Sequence, residues 1–412
     1  MQNKHNILYV HYGDNWLRGS EHCLINLLQQ LDSQRYRAYL WTNNPALHHV
    51  ANRNDIPSCL SEFSVLLGWH TPKLNAKQWY QQVKQGIQLV KDYQIDLIHV
   101  NSGAPCQWMC LVGRLLGVPV ITQLHSDYPL RDRLTLGLHL SPTIITVSEA
   151  ISRNLISDGY PSSRLHVIHN GIDTKALERC PAIDVKQQLG IDEHSYLLAT
   201  VGSLIYRKGV DRIIEAIGVL SHDFPQLHLV VIGDGPEKAR LARQARHAKI
   251  DKQVHFVGEQ SKVQSWLKGG VDAFISGARS EAFGLVVAEA GLAGLPIIAP
   301  NTGGIPEIIT HNETGYLYEN DKPYAIHSAL RAVMNANAIN PHMGSAAQKH
   351  IQQHFTLTSN CRAIESIYQA SLLSRNTRHN TLDNAEKPSW FSGLRPLRHL
   401  PNTLVNMRGS HG

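Results

Sequence analysis

The stretch AFISGARSEAFGLVVAEAGLAGLPIIAPNTGGIPEII, residues 273–309, contains two strand–loop–helix units in succession. In the first unit the strand AFISGA leads through residues 279–284 into a helix predicted at about 285–293. In the second unit the strand PIIAPNT leads through Gly303 and Gly304 into another helix start. Strands that alternate with helices form parallel sheets covered by helices, so this stretch predicts part of an α/β domain.

The same alternation runs through the rest of the chain in two series. Strands of the first series are predicted at NILYVHYG, RAYLWT, DLIHVNS, VPVITQLH, TIITVS and LHVIHNG, and those of the second at YLLATVGSL, LHLVVIGDG, VHFVGE, AFISGA, PIIAPNT and TGYLY. Helical patterns such as 76–93 and 148–158 lie between them. The pattern predicts an α/β protein with two Rossmann-like, doubly wound domains that face each other across a cleft.

Changes in this rhythm predict the domain boundaries. We expect an N-terminal domain at 1–173, an interdomain linker at 174–195, a second domain at 196–356, a final helix at 357–373 and a disordered basic tail at 374–412. The tail has an apolar side around Trp390 and Phe391, which also suits a weak contact with a membrane surface.

Composition excludes several classes of protein. The chain has 412 residues and a net charge of +6, without the dense Lys/Arg clusters of a nucleic-acid-binding protein in its first 370 residues or so. A mildly basic chain instead suits an anionic small molecule or an anionic membrane surface. The six cysteines are scattered without a C-x-x-C pair, which indicates reduced thiols in a cytosolic protein. No apolar run is long enough to predict a membrane span or a signal peptide.

Two acids stand out in the opening stretch, Glu281 in the loop and Glu289 about one turn inside the helix. Their neighbours are mostly alanine, valine, leucine and glycine, so a charged carboxylate there needs a polar partner or a place at the rim. A ligand with several hydroxyl groups would supply that partner, because carboxylates accept hydrogen bonds from hydroxyls. Two exposed glutamates at a helix rim are the alternative.

Other loops after strands offer groups that bind anions. Arg207 and Lys208 precede Gly209 at a helix start, which favours a diphosphate site, although a solvated pair of cations is the alternative. Gly233 follows the next strand, where Lys238 replaces the third glycine of a dinucleotide fingerprint. The glycines there allow close approach of a flat group such as a base, or simply form a tight turn.

Three further residues lie where ligands or helix ends are expected. His125 ends a strand of the first domain and therefore borders the predicted cleft, in either a functional or a structural role. Gly19 lies in the loop after the first strand. Glu307 stands near a helix start, where a dipole or capping role is the main interpretation.

In their order and spacing these pieces resemble the retaining glycosyltransferases of family 4, which have the GT-B fold. The most specific piece is Glu281–x7–Glu289 within SEAFGLVVAEAGLAGLPIIAPNTGGIPEII, and the supporting pieces are VIHNGID, VGSLIYRKG, VIGDGP, VHFVGE and the early GSE. The resemblance extends from residue 6 to about residue 370. It departs from the family at Arg18, which takes the place of the first of two glycines that such enzymes often have.

The resemblance implies a role for each matching position. Arg207 and Lys208 look like the pair that binds the donor diphosphate, Glu281 like the acid that contacts the donor sugar, and His125 like the histidine that faces this sugar. Those four are the catalytic candidates. The donor-binding candidates are Glu289 at the ribose hydroxyls, Val257 and Gly258 where the base is usually read, and Gly233 in the neighbouring loop. Phe283, Gly284 and Leu285 would add backbone contacts to sugar and phosphate, and Gly19 belongs to the loop near the phosphates and acceptor.

The implied activity is transfer of a hexose from a nucleotide-diphosphate sugar, UDP- or GDP-linked, to a glycan or glycolipid acceptor with retention of configuration. Such an enzyme would serve polysaccharide or lipopolysaccharide biosynthesis, in the cytoplasm or at the inner face of the membrane. The absence of a D-x-D motif predicts a reaction without a metal, and no cofactor or nucleic acid is expected.

Other functions remain open at this stage. They are a nucleotide-sugar epimerase or hydrolase with the same two domains, a non-catalytic nucleotide-sugar binding protein, and an NAD-dependent enzyme. Lys238, in place of the third glycine of a dinucleotide fingerprint, argues against the NAD-dependent enzyme. The sequence does not identify the sugar, the base, the acceptor, the linkage or the oligomeric state.

Overall fold

Two parallel sheets organise the chain, of which the computed structural model describes residues 4–69, 72–322, 324–334 and 342–384. The first sheet has seven strands in the order β3-β2-β1-β4-β5-β6-β7. Its strands are β1 (His5–His11), β2 (Tyr36–Thr42), β3 (Ser58–Leu60), β4 (Leu97–Val100), β5 (Val120–Leu124), β6 (Thr143–Thr146) and β7 (Leu165–Val167). Central strands such as β4 and β5 are buried along their whole length, as parallel strands covered on both faces must be.

Helices cover both faces of this sheet, and polar side chains start several of them. The helices are α1 (Gly19–Gln30), α2 (Pro45–Arg53), α3 (Ala76–Asp92), α4 (Cys106–Leu116), α5 (Leu130–Thr135) and α6 (Glu149–Ser157). Asn44, Asn75 and Ser148 cap α2, α3 and α6 by accepting a hydrogen bond from a backbone N–H of the first turn. The caps of α2 and α6 place these two helix starts just after a strand, at the carboxyl edge of the sheet.

The second domain repeats the plan with six parallel strands in the order β10-β9-β8-β11-β12-β13. The strands are β8 (Tyr196–Val201), β9 (Leu227–Ile232), β10 (Val254–Gly258), β11 (Ala273–Ile275), β12 (Ile297–Pro300) and β13 (Tyr316–Tyr318). The connection from the first domain holds α7 (Thr174–Glu178) and α8 (Val185–Leu189). The helices of the second domain are α9 (Val210–Leu220), α10 (Lys238–His247), α11 (Val263–Leu267), α12 (Leu285–Leu292), α13 (Ile305–Ile308), α14 (Ala325–Met334) and α15 (Met343–His354).

All twelve strands predicted from the sequence are present, and the fold class is confirmed. The sequence analysis missed β3, a three-residue strand at the edge of the first sheet. Its residues Ser58, Cys59 and Leu60 are only partly buried or exposed, so they show neither a long apolar run nor a clear alternation.

The last helix, α16 (Leu357–Asn384), returns to the first domain and is longer than the predicted 357–373. Tyr368 is fully buried on the first sheet, where its hydroxyl lies 3.1 Å from the hydroxyl of Tyr9 and 2.7 Å from Nδ1 of His99. Arg375 donates to the carbonyl of Asp96 at 2.9 Å. These contacts hold α16 on the first domain as far as Arg375, and the helix continues to Asn384, against the prediction of a disordered tail from 374 onward. Residues 385–412 lie outside the described residues.

Two further observations concern the helices and the cysteines. No helix within the described ranges is both long and apolar enough to span a bilayer. All six cysteines are free thiols, including Cys106 and Cys110, whose sulfur atoms lie 3.3 Å apart on α4.

Candidate active site

The carboxyl ends of the strands of the second sheet line one wall of the cleft between the domains, where α/β folds bind their ligands. Across the sheet, the ends of β10, β9, β8, β11 and β12 lead to Gly258, Gly233, Lys208, Glu281 and Gly303 in that order. The opposite wall belongs to the first domain, whose Ser148 hydroxyl donates to the carbonyl of Ala282 at 2.7 Å. The donor-side candidates of the second domain therefore share one edge of one sheet.

Glu281 is held by both predicted cations. Lys208 Nζ lies 2.5 Å from Glu281 Oε2, and Arg207 Nη1 lies 3.7 Å from Glu281 Oε1. Arg207 also donates to the carbonyl of Ser280 at 2.9 Å. Glu281 and Lys208 have only 13% and 19% of their side chains exposed, so this ion pair is shielded from bulk water. The Glu281 carboxylate therefore brings the two cations together at one point.

A second ion pair, which the sequence analysis missed, stabilises the loop that carries Arg207 and Lys208. Nη1 and Nη2 of Arg279 donate to the two carboxylate oxygens of Asp211, at 2.8 and 2.7 Å. Arg279 also donates to the carbonyl of Tyr206 and stacks on its ring, with the guanidinium carbon 3.8 Å from the ring centroid. The backbone N–H of Arg279 donates to the carbonyl of Arg207 at 2.8 Å. This bidentate contact fixes the loop that carries Arg207 and Lys208.

The glycine pair after β12 packs directly on the Glu281 loop. Gly303 has a φ of 57°, and a Cβ at this position would collide with the carbonyl oxygen of Glu281. Gly304 donates its N–H to that same carbonyl at 3.1 Å. Only glycine combines the left-handed backbone with this close approach. The pair therefore fixes the position of the Glu281 backbone.

Glu289 lies on α12 and is partly buried. Its apolar surroundings raise its pKa to about 7, because removal from water disfavours the charged form. Burial raises the pKa of the Cys23 thiol on α1 to about 12, and the nearby Glu289 carboxylate adds to that rise. Glu289 thus faces the first domain, and a ligand that donates hydrogen bonds would satisfy its carboxylate.

The starts of α1 and α12 meet across the cleft. Gly19, predicted in a loop, is the first residue of α1, and a Cβ there would lie 3.3 Å from Leu285 Cδ1. Gly284 precedes α12 with a φ of 115°. Phe283 is buried and stacks on His169 with 5.8 Å between ring centroids, so only its backbone is available to a ligand. Two helix N-termini at one point make this place favourable for negative charge.

The predicted base-reading residues lie at the other end of the edge. Gly233 donates its N–H to the carbonyl of Gly258 at 2.8 Å, so the ends of β9 and β10 meet there. Gly233 has a φ of 142°, and a Cβ on it would collide with the carbonyl of Gly202. The carbonyl of Val257 accepts from Gln260 Nε2 at 2.8 Å. The structure brings these residues together, while their role toward a base stays a prediction.

His125 lies at the carboxyl end of β5 and lines a cavity of about 360 Å³ in the first domain. Its Nε2 lies 3.1 Å from Oδ1 of Asn101, while its Nδ1 is shielded from water and has no hydrogen-bond partner among the described residues. Burial and, to a smaller extent, the neighbouring His11 lower the pKa of His125 to about 4 against an opposing effect of Glu21, so the ring is neutral at pH 7. The sequence analysis did not single out Asn101 or His11, since neither belongs to a local motif.

Glu307 joins the two domains rather than capping its own helix. Its carboxylate accepts from the N–H groups of Glu149 and Ala150, at 2.8 and 3.1 Å, and from His169 Nε2 at 2.8 Å. Burial favours the protonated form, but these hydrogen bonds outweigh it and the pKa of Glu307 falls below its ordinary value. A helix-capping role is thus present, but the capped helix is α6 of the other domain.

Within the described ranges no three His, Cys, Asp or Glu side chains meet in a group that would hold a metal ion.

Solved structures place the two domains and their cleft in the GT-B class. The structure of Anabaena HepE in complex with UDP superposes with a TM-score of 0.76 and 21% sequence identity, covering 89% of this chain and all of HepE. The profile "Glycosyltransferase Family 4" matches residues 17–176, and "Glycosyl transferases group 1" matches residues 183–350. The chain belongs to glycosyltransferase family 4 and is a glycosyltransferase with the GT-B fold.

Curated relatives share about a quarter of their residues with this chain. N-acetyl-alpha-D-glucosaminyl L-malate synthase of Bacillus anthracis is 25% identical over 287 residues, which are 66% of this chain and 74% of the relative. The lipopolysaccharide core biosynthesis mannosyltransferase LpsB of Rhizobium meliloti is 28% identical over 217 residues, which are 50% of this chain and 60% of LpsB.

Proposed function

We propose that the protein transfers a hexose from a UDP- or GDP-linked donor to a glycan or glycolipid acceptor, with retention of configuration and without a metal. The observation that carries this proposal is the pairing of Lys208 and Arg207 with Glu281 at the carboxyl edge of the second sheet. Breaking the bond between sugar and diphosphate builds negative charge on the leaving phosphate. Two fixed cations next to two helix starts would stabilise that charge.

The proposed donor site follows the order of residues along the edge. The diphosphate lies against Arg207 and Lys208, the sugar against Glu281, and the ribose hydroxyls against Glu289, which also supplies the acceptor groups that a diol needs. The neighbouring protein HepE has been solved with UDP and with UDP-glucose, which supports a nucleotide-sugar donor. In the proposed reaction Lys208 and Arg207 take the charge-balancing role that a metal ion has in other enzymes.

The proposed acceptor site is the cavity of the first domain that holds His125. Its wall includes the aromatic residues Tyr12, Trp16, Trp69 and Tyr128. The Trp69 ring is fixed by its Nε1, which donates to Asp132 Oδ2 at 2.9 Å. Aromatic faces beside polar groups fit a sugar, which has both apolar C–H faces and hydroxyls. Retention fits attack by an acceptor hydroxyl from the same face that the leaving phosphate departs.

The experiment combines calorimetry with UDP and GDP and a transfer assay. UDP-glucose, UDP-N-acetylglucosamine and GDP-mannose serve as donors, and octyl glucoside and octyl galactoside serve as acceptors. We expect one nucleotide to bind and one donor to give an octyl disaccharide, whose anomeric configuration by NMR matches the donor. If the protein binds neither nucleotide, the proposed function is wrong. Binding without any product across this panel would favour a non-catalytic binding protein.

We also propose that the enzyme works at the inner face of a membrane, where lipid-linked acceptors are presented. Exposed leucines on the first domain support this, namely Leu111 and Leu115 of α4, Leu130 and Leu134 of α5, and Leu140. Gln107 of α4 donates to the carbonyl of Thr135 at 2.7 Å, which joins the two helices. Arg114 and Arg131 lie within these helices and suit anionic headgroups.

The double variant Leu130→Gln and Leu134→Gln tests this attachment. Each leucine that enters the interface contributes favourable burial, so we expect roughly a tenfold or larger loss of binding to phosphatidylglycerol vesicles in co-sedimentation. Val219→Gln, at an exposed position of α9, is the matched control and is expected to bind like the wild type. Equal binding of the double variant and the control would rule out this patch as the contact.

A further inference from the structure

A series of hydrogen bonds connects the start of α1 with His125. His11 Nε2 lies 2.9 Å from Glu21 Oε1, His11 Nδ1 lies 3.1 Å from Asn101 Nδ2, and Asn101 Oδ1 lies 3.1 Å from His125 Nε2. His11, Glu21 and Asn101 are each at most 3% exposed. We call these four side chains the Glu21–His125 network. His11, Glu21 and Asn101 also line the cavity around His125.

The orientation of the Asn101 amide follows from a neighbour outside the network. Its Nδ2 lies 3.4 Å from the backbone carbonyl of Ser20, and a carbonyl oxygen only accepts hydrogen bonds. The amide nitrogen must therefore face Ser20, and Oδ1 must face His125. Because Oδ1 also only accepts, the proton of the neutral His125 ring is on Nε2. The other ring nitrogen, Nδ1, then carries a lone pair.

Glu21 anchors the opposite end of the network. Its Oε2 accepts from the backbone N–H of Arg18 at 3.0 Å and from the hydroxyl of Ser20 at 3.1 Å. Burial acts to raise its pKa, but the hydrogen bond from His11 and these further contacts outweigh it and lower the pKa to about 2. Glu21 therefore stays ionised and keeps a proton on His11 Nε2. The other ring nitrogen of His11, Nδ1, lies 3.1 Å from both the side-chain Nδ2 and the backbone carbonyl oxygen of Asn101.

Several titratable groups face His125 and decide its charge. They are His11 from β1, Glu21 from α1 and His99 from β4. Burial keeps His99 neutral, with a pKa of about 3. Among the described residues, His11 lowers the pKa of His125 and Glu21 raises it, each by less than burial lowers it. His125 is thus a neutral ring whose lone pair at Nδ1 is shielded from water and unpaired within the described chain. A buried acceptor without a partner fits a ligand that donates a hydrogen bond.

We propose that Glu21, His11 and Asn101 are positioning residues that hold His125 as its neutral Nε2–H tautomer, so that Nδ1 accepts a hydrogen bond from a hydroxyl of a bound sugar. This inference rests on the proposed function, because it needs a sugar in the cleft. The hydroxyl belongs either to the donor hexose or to the acceptor, and the chemistry required of His125 is the same.

The variant Asn101→Asp tests the network with almost no change in shape. A carboxylate between His11 and His125 favours the doubly protonated ring, which replaces the acceptor at Nδ1 with a donor. We expect ¹⁵N NMR at pH 7 to show one protonated nitrogen, Nε2, for His125 in the wild type and two in the variant. His125→Gln identifies the signals. Asn44→Asp, which changes a fully buried asparagine at the end of β2, is the matched control.

Activity gives a second measurement. For turnover of UDP-glucose, we expect Asn101→Asp to lower kcat about tenfold at neutral pH and to move the acidic limb of its pH profile upward. A decrease in donor hydrolysis without acceptor assigns the hydroxyl to the donor, whereas a decrease only in transfer to octyl glucoside assigns it to the acceptor. The Asn44→Asp control is expected to keep the wild-type profile.

Two results would overturn the proposal. One is a proton on Nδ1 of His125 in the wild type, and the other is an Asn101→Asp variant with unchanged His125 signals and an unchanged pH profile. The wild-type NMR measurement decides the tautomer even where the variant does not fold. It needs no turnover either, so absence of UDP and GDP binding would count against the proposed function and leave the tautomer result standing.

Discussion

Lys208→Ala is expected to lower kcat about 100- to 1000-fold, because loss of one group that stabilises transition-state charge costs about 2.7–4 kcal/mol in comparable enzymes. Lys208 is the closer of the two cations to Glu281, at 2.5 Å, and is mostly shielded from solvent. Its charge therefore acts in a low-dielectric setting. The measurement is steady-state turnover of the donor that binds in calorimetry. The KM for that donor is expected to change less than kcat, since the charge develops only as the bond breaks.

Lys186→Ala is the matched control for this variant. Lys186 also pairs with one carboxylate, at 3.1 Å from Asp272 Oδ2, and its side chain is 16% exposed against 19% for Lys208. It lies at the opposite edge of the second sheet, since Asp272 precedes β11. We expect this control to lose some thermal stability and to keep its kcat. A Lys208→Ala enzyme with a kcat within about threefold of the control would contradict charge stabilisation by Lys208.

Glu289→Gln is expected to weaken nucleotide binding about 10- to 100-fold at pH 8, because hydrogen bonds to a charged group contribute about 1.5–3 kcal/mol. Burial raises the pKa of Glu289 to about 7. Binding to hydroxyls requires the carboxylate, so wild-type affinity for UDP or GDP should rise with pH through 7 and level off above it. Calorimetry at several pH values measures this rise. In the Glu289→Gln variant, the change of affinity with pH reports only the ionisation of the diphosphate, so subtracting it from the wild-type change leaves the contribution of Glu289.

The same pKa shift has the opposite effect on stability. A carboxyl whose pKa rises from 4.5 to about 7 on folding stabilises the protein fully below pH 4.5, and this contribution is lost as the pH rises through 7. Above pH 7 the empty Glu289→Gln variant is therefore expected to exceed the wild type in stability, by an amount on the order of 2 kcal/mol. Thermal unfolding at pH 6 and pH 8 checks this. Glu215→Gln, an exposed glutamate on α9, controls for the change in net charge. Equal stability of both variants at pH 8 would show that Glu289 is well solvated.

The local patterns of the sequence were sufficient for most of the fold. Strands such as β8 and β9 are long apolar runs, and the loop–helix boundary at Gly284 follows from glycine before a helical pattern. The sequence analysis missed β3 and the far end of α16. Each of these elements is held by tertiary contacts, and neither has enough local apolar periodicity to show itself in the sequence.

The candidate site likewise has a part that the sequence predicts and a part that it does not. Glu281 with Arg207 and Lys208 was accessible from the sequence, since loops after neighbouring parallel strands must meet at one edge. The interdomain role of Glu307 was not, because its partners Glu149 and His169 are more than a hundred positions away.

The sequence by itself determined two α/β domains and the set of acids, cations and glycines at one sheet edge, because periodicity and strand order act over short stretches of chain. The tertiary structure alone decided how those groups are paired and charged. Pairing of Asn101 with His125, the raised pKa of Glu289 and the bridge made by Glu307 depend on burial and on neighbours from distant elements. Hydrogen-bond distance and exclusion of water arise only when elements distant in the sequence pack together, and no local pattern records them.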